Sequence, residues 1–283
     1  MKVLITGAGG KLAGEIARSF GEDHDLVYTA RSEVTDLPEG AFYPVDLAEP
    51  TDMGRVFETE KPDAVIHLGA MLPGACQENP ELARRVNTDA TAELARLAVS
   101  HGVRSFIFAS TAAVYNQTEM RPVAEDEAAD APRLVYGQTK LAAEQELAAI
   151  AETGDTRFAA LRIFNIYGKP FTDSLVHKLI HSTEEAPVGL VGPDTFVRDY
   201  VHVSDVVAAH HEVLDNEVAP RFRVYNIASG VPTTNGELVE QLEAKGVHPH
   251  YTMKPIDLNV AWADISRAKE ELGFAPQTSI VVD

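Results

Sequence analysis

Apolar residues in the first half of the chain alternate between short continuous runs and a four-residue spacing. Residues 2–6 form an apolar run, glycines follow, and Leu12, Ile16 and Phe20 then recur on one helix face. This predicts a strand, a tight turn and a helix. The same reasoning predicts later strands at 26–29, 42–45, 64–68, 105–109 and 158–164, and helices at 81–100 and 133–152. Such alternation is typical of an α/β fold with a Rossmann-type, doubly wound parallel sheet.

The pattern loosens after residue 165. Prolines break this part into short elements: Pro170, Pro187, Pro193, Pro220, Pro232 and Pro255. We therefore expect a dinucleotide-binding domain at 1–165 and a smaller, mainly substrate-binding lobe at 166–283. Residues 201–230 are expected to return to the Rossmann sheet through a strand at 223–228. Ligands of doubly wound sheets bind beyond the carboxyl ends of the strands, so the crevice between sheet and lobe is the expected site.

Composition and charge narrow the classes of function. The 283 residues are 45% hydrophobic, enough for a full α/β core. A net charge of −19 argues against binding nucleic acid or an anionic membrane. No apolar stretch approaches the roughly 18 residues of a membrane span, and the chain opens with a strand, so we expect no signal peptide. The single cysteine, Cys76, is expected to be a small, partly buried residue and suits a reducing cytoplasm.

A glycine-rich turn follows the first strand. Its sequence, TGAGGKLAG from Thr6 to Gly14, does not fit G-x-G-x-x-G, because Leu12 occupies the last glycine position. It fits a variant in which Gly7, Gly10 and Ala13 are the small residues. Small residues here let backbone N–H groups and a helix N-terminus approach a pyrophosphate. The alternative is a glycine-rich turn that binds no ligand.

Tyr136 and Lys140 lie four residues apart on a predicted helix and therefore share a face. A nearby ammonium group and a cationic nicotinamide ring would favour the phenolate, so we expect the pKa of Tyr136 to fall towards neutral pH. Tyr136 could then take a proton from an alcohol while hydride leaves the same carbon. Together with the glycine turn and with Ser110 and Thr111 at a strand end, this pair indicates a redox enzyme.

Several ordered motifs resemble those of the extended short-chain dehydrogenase/reductases, the group that includes NAD-dependent epimerases and dehydratases of nucleotide sugars. Besides the glycine turn, they are Asp46-Leu47, HLGA at 67–70, Asn87, FIFASTAAVY at 106–115, YGQTK at 136–140, LRIFNIYG at 161–168, RDYVHV at 198–203, YNIASG at 225–230 and the tail 264–276. The resemblance extends nearly from end to end.

The resemblance implies a role for each matching residue. Tyr136 would be the acid/base, Lys140 would lower its pKa and hold the nicotinamide ribose, and Thr111 would hydrogen-bond the reacting oxygen. The implied cofactor-binding residues are Gly7, Gly9, Gly10, Lys11, Leu12, Arg31, Ser32, Asp46, Leu47, Leu68, Gly69, Ala70, Asn87, Tyr136, Lys140 and Phe164. The implied substrate-binding residues are Thr111, Asn165 and Arg198, the last at a diphosphate.

The chain departs from this family where the second strand ends. An NAD-preferring member would place an acidic residue there, but this chain has Ala30, followed by Arg31 and Ser32. Losing the carboxylate removes its repulsion of a 2′-phosphate, and Arg31 offers that phosphate a charged, forked donor. NADP is therefore the expected cofactor. The alternative is that Arg31 stacks on adenine and either NADP or NAD binds.

A second departure concerns the reaction. Sugar 4,6-dehydratases of this family have Asp-Glu after the catalytic Thr, whereas this chain has Ala112 and Ala113, which cannot move protons. Three alternatives remain: an epimerase of a nucleotide sugar, an NADP(H)-dependent reductase or dehydrogenase of a sugar or small carbonyl substrate, and a non-catalytic regulator. The epimerase is favoured. The segment between Asn165 and Arg198 is short, which leaves a smaller substrate open.

The remaining expectations concern charge clusters and assembly. We expect the acidic run 125–127 to be a solvated loop. His177 and His181 share a helix face, but no third ligand is evident, and the adjacent His210 and His211 make a poor chelate, so we expect no metal. The resemblance implies a homodimer formed through the helices at 81–100 and 133–152, with Leu94, Leu97, Leu141 and Leu147 as apolar contacts or, alternatively, as core residues of one subunit.

Overall fold

A computed structural model describes residues 1–128, 131–216 and 220–282. Its strands are β1 (Lys2–Thr6), β2 (Asp25–Ala30), β3 (Gly40–Pro44), β4 (Ala64–His67), β5 (Ser105–Thr111), β6 (Arg157–Ile163), β7 (Asn165–Tyr167), β8 (Val188–Val191), β9 (Phe196–His202), β10 (Phe222–Ile227), β11 (Pro232–Thr234), β12 (Tyr251–Lys254) and β13 (Asn259–Ala261). Its α-helices are α1 (Lys11–Phe20), α2 (Met53–Glu60), α3 (Pro73–Glu78), α4 (Pro80–Arg84), α5 (Ala90–Ser100), α6 (Val135–Ala151), α7 (Leu175–Ile180), α8 (Val203–Asp215), α9 (Asn235–Glu243) and α10 (Ser266–Leu272).

A seven-stranded sheet has the strand order β10-β6-β5-β4-β1-β2-β3. The pairs β1–β2, β1–β4, β2–β3 and β4–β5 are parallel, as a doubly wound sheet requires. The expected α/β fold with a Rossmann-type parallel sheet is confirmed. The predicted strand at 223–228 is β10, at the sheet's edge.

The chain divides into two compact units built from interleaved segments. The first comprises Met1–Val114, Ala128–Arg162 and His210–Tyr225, and the second comprises Tyr115–Glu127, Ile163–Ala209 and Asn226–Asp283. The first unit has a core of aliphatic and aromatic residues from the sheet strands and from α2, α5 and α6. The second unit has its own core, contributed by α7, α9 and the strands β7, β8 and β9.

The predicted helix at 81–100 contains a π-helical turn. Residues 80–84 are α-helical, Arg85–Asp89 form the π turn, and α5 begins at Ala90. Asn79 caps the first of these segments by accepting a hydrogen bond from Leu82 N at 3.1 Å. A π turn within a helix often lies at a functional site, and here it carries the buried Asn87.

Candidate active site

The glycine turn joins β1 to α1, and its first glycine has a backbone conformation that only glycine adopts readily. Gly7 has a φ of +71°, and a Cβ built on it would lie 2.5 Å from the Cα of Gly69. Gly10 N donates to Gly7 O at 2.9 Å, and α1 begins at the next residue with no side chain capping it. Gly9, Gly10 and Lys11 are exposed. The turn therefore fits a pyrophosphate, because it presents backbone N–H groups and the positive end of a helix.

The other residues expected to hold the cofactor in the first unit follow the carboxyl ends of the strands. Arg31 and Ser32 are exposed directly after β2. Asp46 is exposed two residues beyond β3, and its Oδ1 accepts a hydrogen bond from Ala48 N at 2.9 Å. A Cβ added to the buried Gly69 would collide with Leu47, so these two residues are tightly packed. Leu68 and Ala70 flank Gly69.

Thr111, Tyr136 and Lys140 are brought together by β5 and α6. Thr111 ends β5, and its side chain forms a hydrogen bond with that of Tyr136. Lys140 Nζ donates to the carbonyl oxygen of Ala109 at 2.8 Å and lies 6.0 Å from the centre of the Tyr136 ring. A Cβ at Gly137 would overlap the carbonyl of Ala113, so glycine next to Tyr136 permits this close approach.

The protein groups alone do not lower the pKa of Tyr136, so the decrease expected beside a bound nicotinamide stays a prediction. Burial raises the pKa of Tyr136 to about 12, the nearby Cys76 adds to the increase, and the hydrogen bond with Thr111 opposes it. Burial also lowers the pKa of Lys140 to about 7. Removing both groups from water outweighs the attraction expected between ammonium and phenolate. A decrease in the pKa of Tyr136 therefore requires bound cofactor in addition to Lys140.

Asn87 connects the π turn to α6 and to the segment after β4. Its Oδ1 accepts from Met71 N at 2.7 Å, and its Nδ2 donates to Met71 O at 3.2 Å and to Thr139 Oγ1 at 3.1 Å. Thr139 in turn donates to the carbonyl of Tyr136 at 3.0 Å. Asn87 thus braces the helix that carries Tyr136. Cys76, expected to be partly buried, is fully buried beside Asn87.

His67 joins the glycine turn to the same π turn. Its Nδ1 lies 2.6 Å from Thr6 Oγ1 and its Nε2 lies 2.9 Å from Thr91 Oγ1. Because Thr91 donates its own proton to the carbonyl of Asn87, it must accept from His67, whose proton therefore sits on Nε2. Burial lowers the pKa of His67 to about 3, which keeps the ring neutral. The H-L-G-A motif pointed to this turn but did not predict the hydrogen-bond chain.

A buried ion pair behind the trio was missed entirely. Glu144 on α6 and Arg162 on β6 are each 3% exposed, and Arg162 Nη2 lies 2.6 Å from Glu144 Oε2. Two sequence signals could have found them. Glu144 follows Lys140 by one helical turn, and Arg162 interrupts an otherwise apolar strand.

The second unit holds the other residues expected to bind cofactor or substrate. Phe164 is buried after β6, and Asn165 is exposed at the start of β7. Arg198 on β9 lies with its guanidinium 3.6 Å from the centre of the Phe196 ring and donates to Asn259 Oδ1 at 2.9 Å. These contacts fix the orientation of Arg198 within its own unit.

The structure also describes the acidic run at 125–127 and the histidine pair at 177 and 181. The acidic run at 125–127 is a 3₁₀ turn in which Asp126 and Glu127 are exposed as expected, whereas Glu125 is 6% exposed and accepts a hydrogen bond from Asn226 N at 3.0 Å. The rings of His177 and His181 stack with their centres 4.0 Å apart. In the described parts of the chain, no three His, Cys, Asp or Glu residues gather as a metal site would require. The expected absence of a metal stays a prediction.

Comparison with known proteins links this arrangement to one family. The sequence model described as the NAD dependent epimerase/dehydratase family matches residues 3–228. A UDP-glucuronate 4-epimerase of Thermodesulfobacterium geofontis is 28% identical over 268 residues, covering 91% of this chain and 81% of the relative. Over residues 1–128, 131–216 and 220–282, no helix has the length and apolar character needed to cross a membrane.

Solved structures show the same similarity in three dimensions. MoeE5 in complex with UDP-glucuronic acid and NAD is similar with a TM-score of 0.85 and 28% identity, covering 99% of this chain and 95% of that one. The UDP-glucose 4-epimerase of Thermotoga maritima with UDP-glucose has a TM-score of 0.85 and 26% identity, covering 98% of this chain and 94% of that one.

Proposed function

Because the chain belongs to the NAD dependent epimerase/dehydratase family, we propose that it is an NAD(P)-dependent epimerase acting at C4 of a nucleotide sugar. The observation that carries this proposal is the trio at the end of β5, where Thr111 bonds to Tyr136 and Lys140 lies one helical turn further on α6. The relatives with this fold include UDP-sugar 4-epimerases. Ala112 and Ala113 supply no acid or base for dehydration.

The protein's own residues bind, orient and move protons. Tyr136 removes the proton of the C4 hydroxyl and later returns it, while Thr111 holds the reacting oxygen by a hydrogen bond. Lys140 binds the nicotinamide ribose and, together with bound cofactor, would favour the phenolate of Tyr136. The nicotinamide, when bound, supplies the hydride acceptor and donor. Gly7, Gly10 and the N-terminus of α1 bind the pyrophosphate.

Substrate binding is assigned to the second unit. We propose that the first unit, with the predicted domain 1–165 at its centre, binds the cofactor and that the lobe at 166–283 binds substrate. Arg198 would hold the diphosphate through charge-assisted hydrogen bonds, and Asn165 would contact the sugar. A fixed diphosphate lets the keto sugar turn over without leaving, so that hydride returns to its opposite face.

The preferred cofactor is proposed to be NADP. MoeE5 is described with NAD, so relatives favour NAD at this level of similarity. In this chain, however, β2 ends in Ala30 and is followed by the exposed Arg31. A guanidinium without a neighbouring carboxylate at this position favours a 2′-phosphate. With a single buried cysteine, a cytoplasmic location is proposed as well.

The proposed activity is tested with a panel of UDP-, dTDP- and GDP-sugars and catalytic amounts of cofactor. C4 configuration is followed by NMR together with nicotinamide absorbance. Interconversion of C4 epimers without net absorbance change supports the epimerase. A stoichiometric absorbance change with any sugar or ketone, without C4 interconversion, would instead identify an NADP(H)-dependent reductase, the candidate that Arg31 favours.

A further inference from the structure

Three consecutive residues at the end of β5 are bonded to α6 at positions four residues apart. Thr111 bonds to Tyr136, the Ala109 carbonyl accepts from Lys140, and Ser110 Oγ donates to Glu144 Oε1 at 2.5 Å. The first two contacts involve the proposed catalytic trio. The third involves a carboxylate that the proposed mechanism does not use.

Glu144 is held by more than Ser110. Arg162 donates to it through Nε at 3.0 Å and through Nη2 at 2.6 Å, so the guanidinium binds both carboxylate oxygens. Ser110, Glu144 and Arg162 are all at least 96% buried. Burying an ion pair costs desolvation energy that its attraction often fails to recover, and an apolar pair of similar size is often as stable. Stability alone therefore does not account for a charged pair at this position.

We infer that Glu144 is a positioning residue: oriented by Arg162, its carboxylate ties Ser110 to α6 and thereby sets Thr111 and Lys140 relative to Tyr136. This inference rests on the proposed function of the trio. Ser110 lies between two residues that contact the trio. The carbonyl of Ala109 accepts a hydrogen bond from Lys140, and the side chain of Thr111 forms one with Tyr136. A shift of Ser110 would disturb both neighbouring contacts.

Glu144 also contributes a negative charge near Lys140. The groups that face Lys140 are Tyr136 and Glu144 on its own helix, Cys76 on α3, His67 on β4, and the Phe108 ring and Ala109 carbonyl on β5. Burial lowers the pKa of Lys140, whereas Glu144 is the main group that raises it. Removing the carboxylate should therefore convert Lys140 to the neutral amine at a lower pH.

The experiment compares Glu144→Gln, Ser110→Ala and the paired replacement Glu144→Leu/Arg162→Met. Glu146→Gln is the matched control, since Glu146 lies on the same helix in an exposed ion pair with Arg96 at 3.2 Å. The single Glu144 variant removes the carboxylate that pairs with the buried guanidinium of Arg162, so its loss of stability is expected. The paired replacement removes both charges of the buried ion pair, so it avoids this loss of stability. Its activity can therefore be compared with that of the parent protein without a difference in folding.

For C4 epimerisation we expect Glu144→Gln and the paired variant to lower kcat at least tenfold while KM changes less than threefold. The basic limb of the kcat profile should move to lower pH by about one unit. Ser110→Ala should lower kcat without moving the basic limb of its pH profile. Glu146→Gln should change neither kcat nor the position of that limb. A paired variant with the thermal midpoint, kcat and pH profile of the parent would overturn the inference. A paired variant that loses kcat without any shift of the limb would overturn the electrostatic part.

Cofactor binding separates this inference from the proposed function. Lys140 should bind the nicotinamide ribose whether or not the substrate is a nucleotide sugar, so NADPH is titrated by fluorescence between pH 5 and 9. Binding to the parent protein should weaken as Lys140 loses its proton. In the paired variant it should weaken at a lower pH, even if no sugar in the panel reacts. Identical pH dependence in parent and paired variant would count against Glu144, whereas absent epimerisation with shifted binding would count only against the proposed reaction.

Discussion

Lys140 points its ammonium at the carbonyl oxygen of Ala109, 2.8 Å away, and packs 4.4 Å from the centre of the Phe108 ring. Both contacts favour a cation, yet the side chain is almost fully buried and its pKa falls to about 7. The protein therefore maintains a lysine whose charge changes near neutral pH beside its proposed acid/base. This supports the proposal that Lys140 works together with bound cofactor.

Lys140→Met should change stability in a pH-dependent way. The folded-state pKa lies below the unfolded value of 10.5, so burying the ammonium destabilises the protein fully below pH 7, and the penalty disappears as pH rises towards 10.5. Relative to the parent, the variant should gain on the order of 5 kcal/mol at pH 6 and lose most of that advantage by pH 10. Thermal midpoints measured across this range check the prediction. A constant difference would contradict it. The variant should also bind cofactor less tightly.

Tyr136→Phe should abolish turnover and leave cofactor binding intact. The change removes the oxygen that moves the proton while it keeps nearly the same volume, and a lost general acid/base typically costs 10²–10⁴-fold in rate. Turnover is measured on whichever sugar of the panel reacts, and cofactor affinity by fluorescence titration. Thr111→Val removes the hydrogen bond to Tyr136. It should lose less turnover than Tyr136→Phe. Retained activity in Tyr136→Phe would dismiss this residue as the acid/base.

Arg31 should set the preference between the two nicotinamide cofactors. NADPH is expected to bind more tightly than NADH, and Arg31→Ala should remove most of the difference, since the exposed guanidinium then no longer meets the 2′-phosphate. Ala30→Asp should favour NADH by restoring a carboxylate at the end of β2. Fluorescence titration of both cofactors measures each variant. Equal affinities in the parent protein would remove the case for NADP.

We predict a homodimer formed through exposed parts of α5 and α6. Leu94 and Leu147 cannot contribute, because both are fully buried in the core of the first unit. Gln145 and Ala149 on α6 are exposed and share a helix face. Light scattering should give twice the 30.7 kDa mass of one chain, and Gln145→Glu/Ala149→Glu should halve it. A parent protein at 30.7 kDa over all concentrations would exclude the dimer.

The sequence predicted the sheet well because its strands are short, continuous apolar runs, which is the pattern expected of strands buried on both faces. It also located the glycine turn and placed Tyr136 beside Lys140, since both depend on neighbours in the chain. It did not predict the π turn at 85–89, because hydrophobic spacing over one long helix averages out a single wider turn. Contacts between distant residues, such as Glu144 with Arg162 and Glu125 with Asn226, follow from packing that local pattern cannot reveal.

Electrostatics was the weakest part of the prediction. A lysine four residues from a tyrosine suggested attraction between their charges, but burial outweighs the effect of adjacency for both side chains. The extent of burial is a property of the whole fold. It cannot be read from a spacing of four.

The order in which the two units use the chain bears on how the protein is made. The first unit includes residues 210–225, which are synthesised after the whole of the second unit's segment 163–209. A nascent chain that ends before β10 therefore carries β6 as an open sheet edge, with unpaired backbone groups that can pair with other chains. At about 5–20 residues per second, that edge is exposed for several seconds on each ribosome. Expression conditions that slow translation between 163 and 222 should lengthen this exposure and favour aggregation.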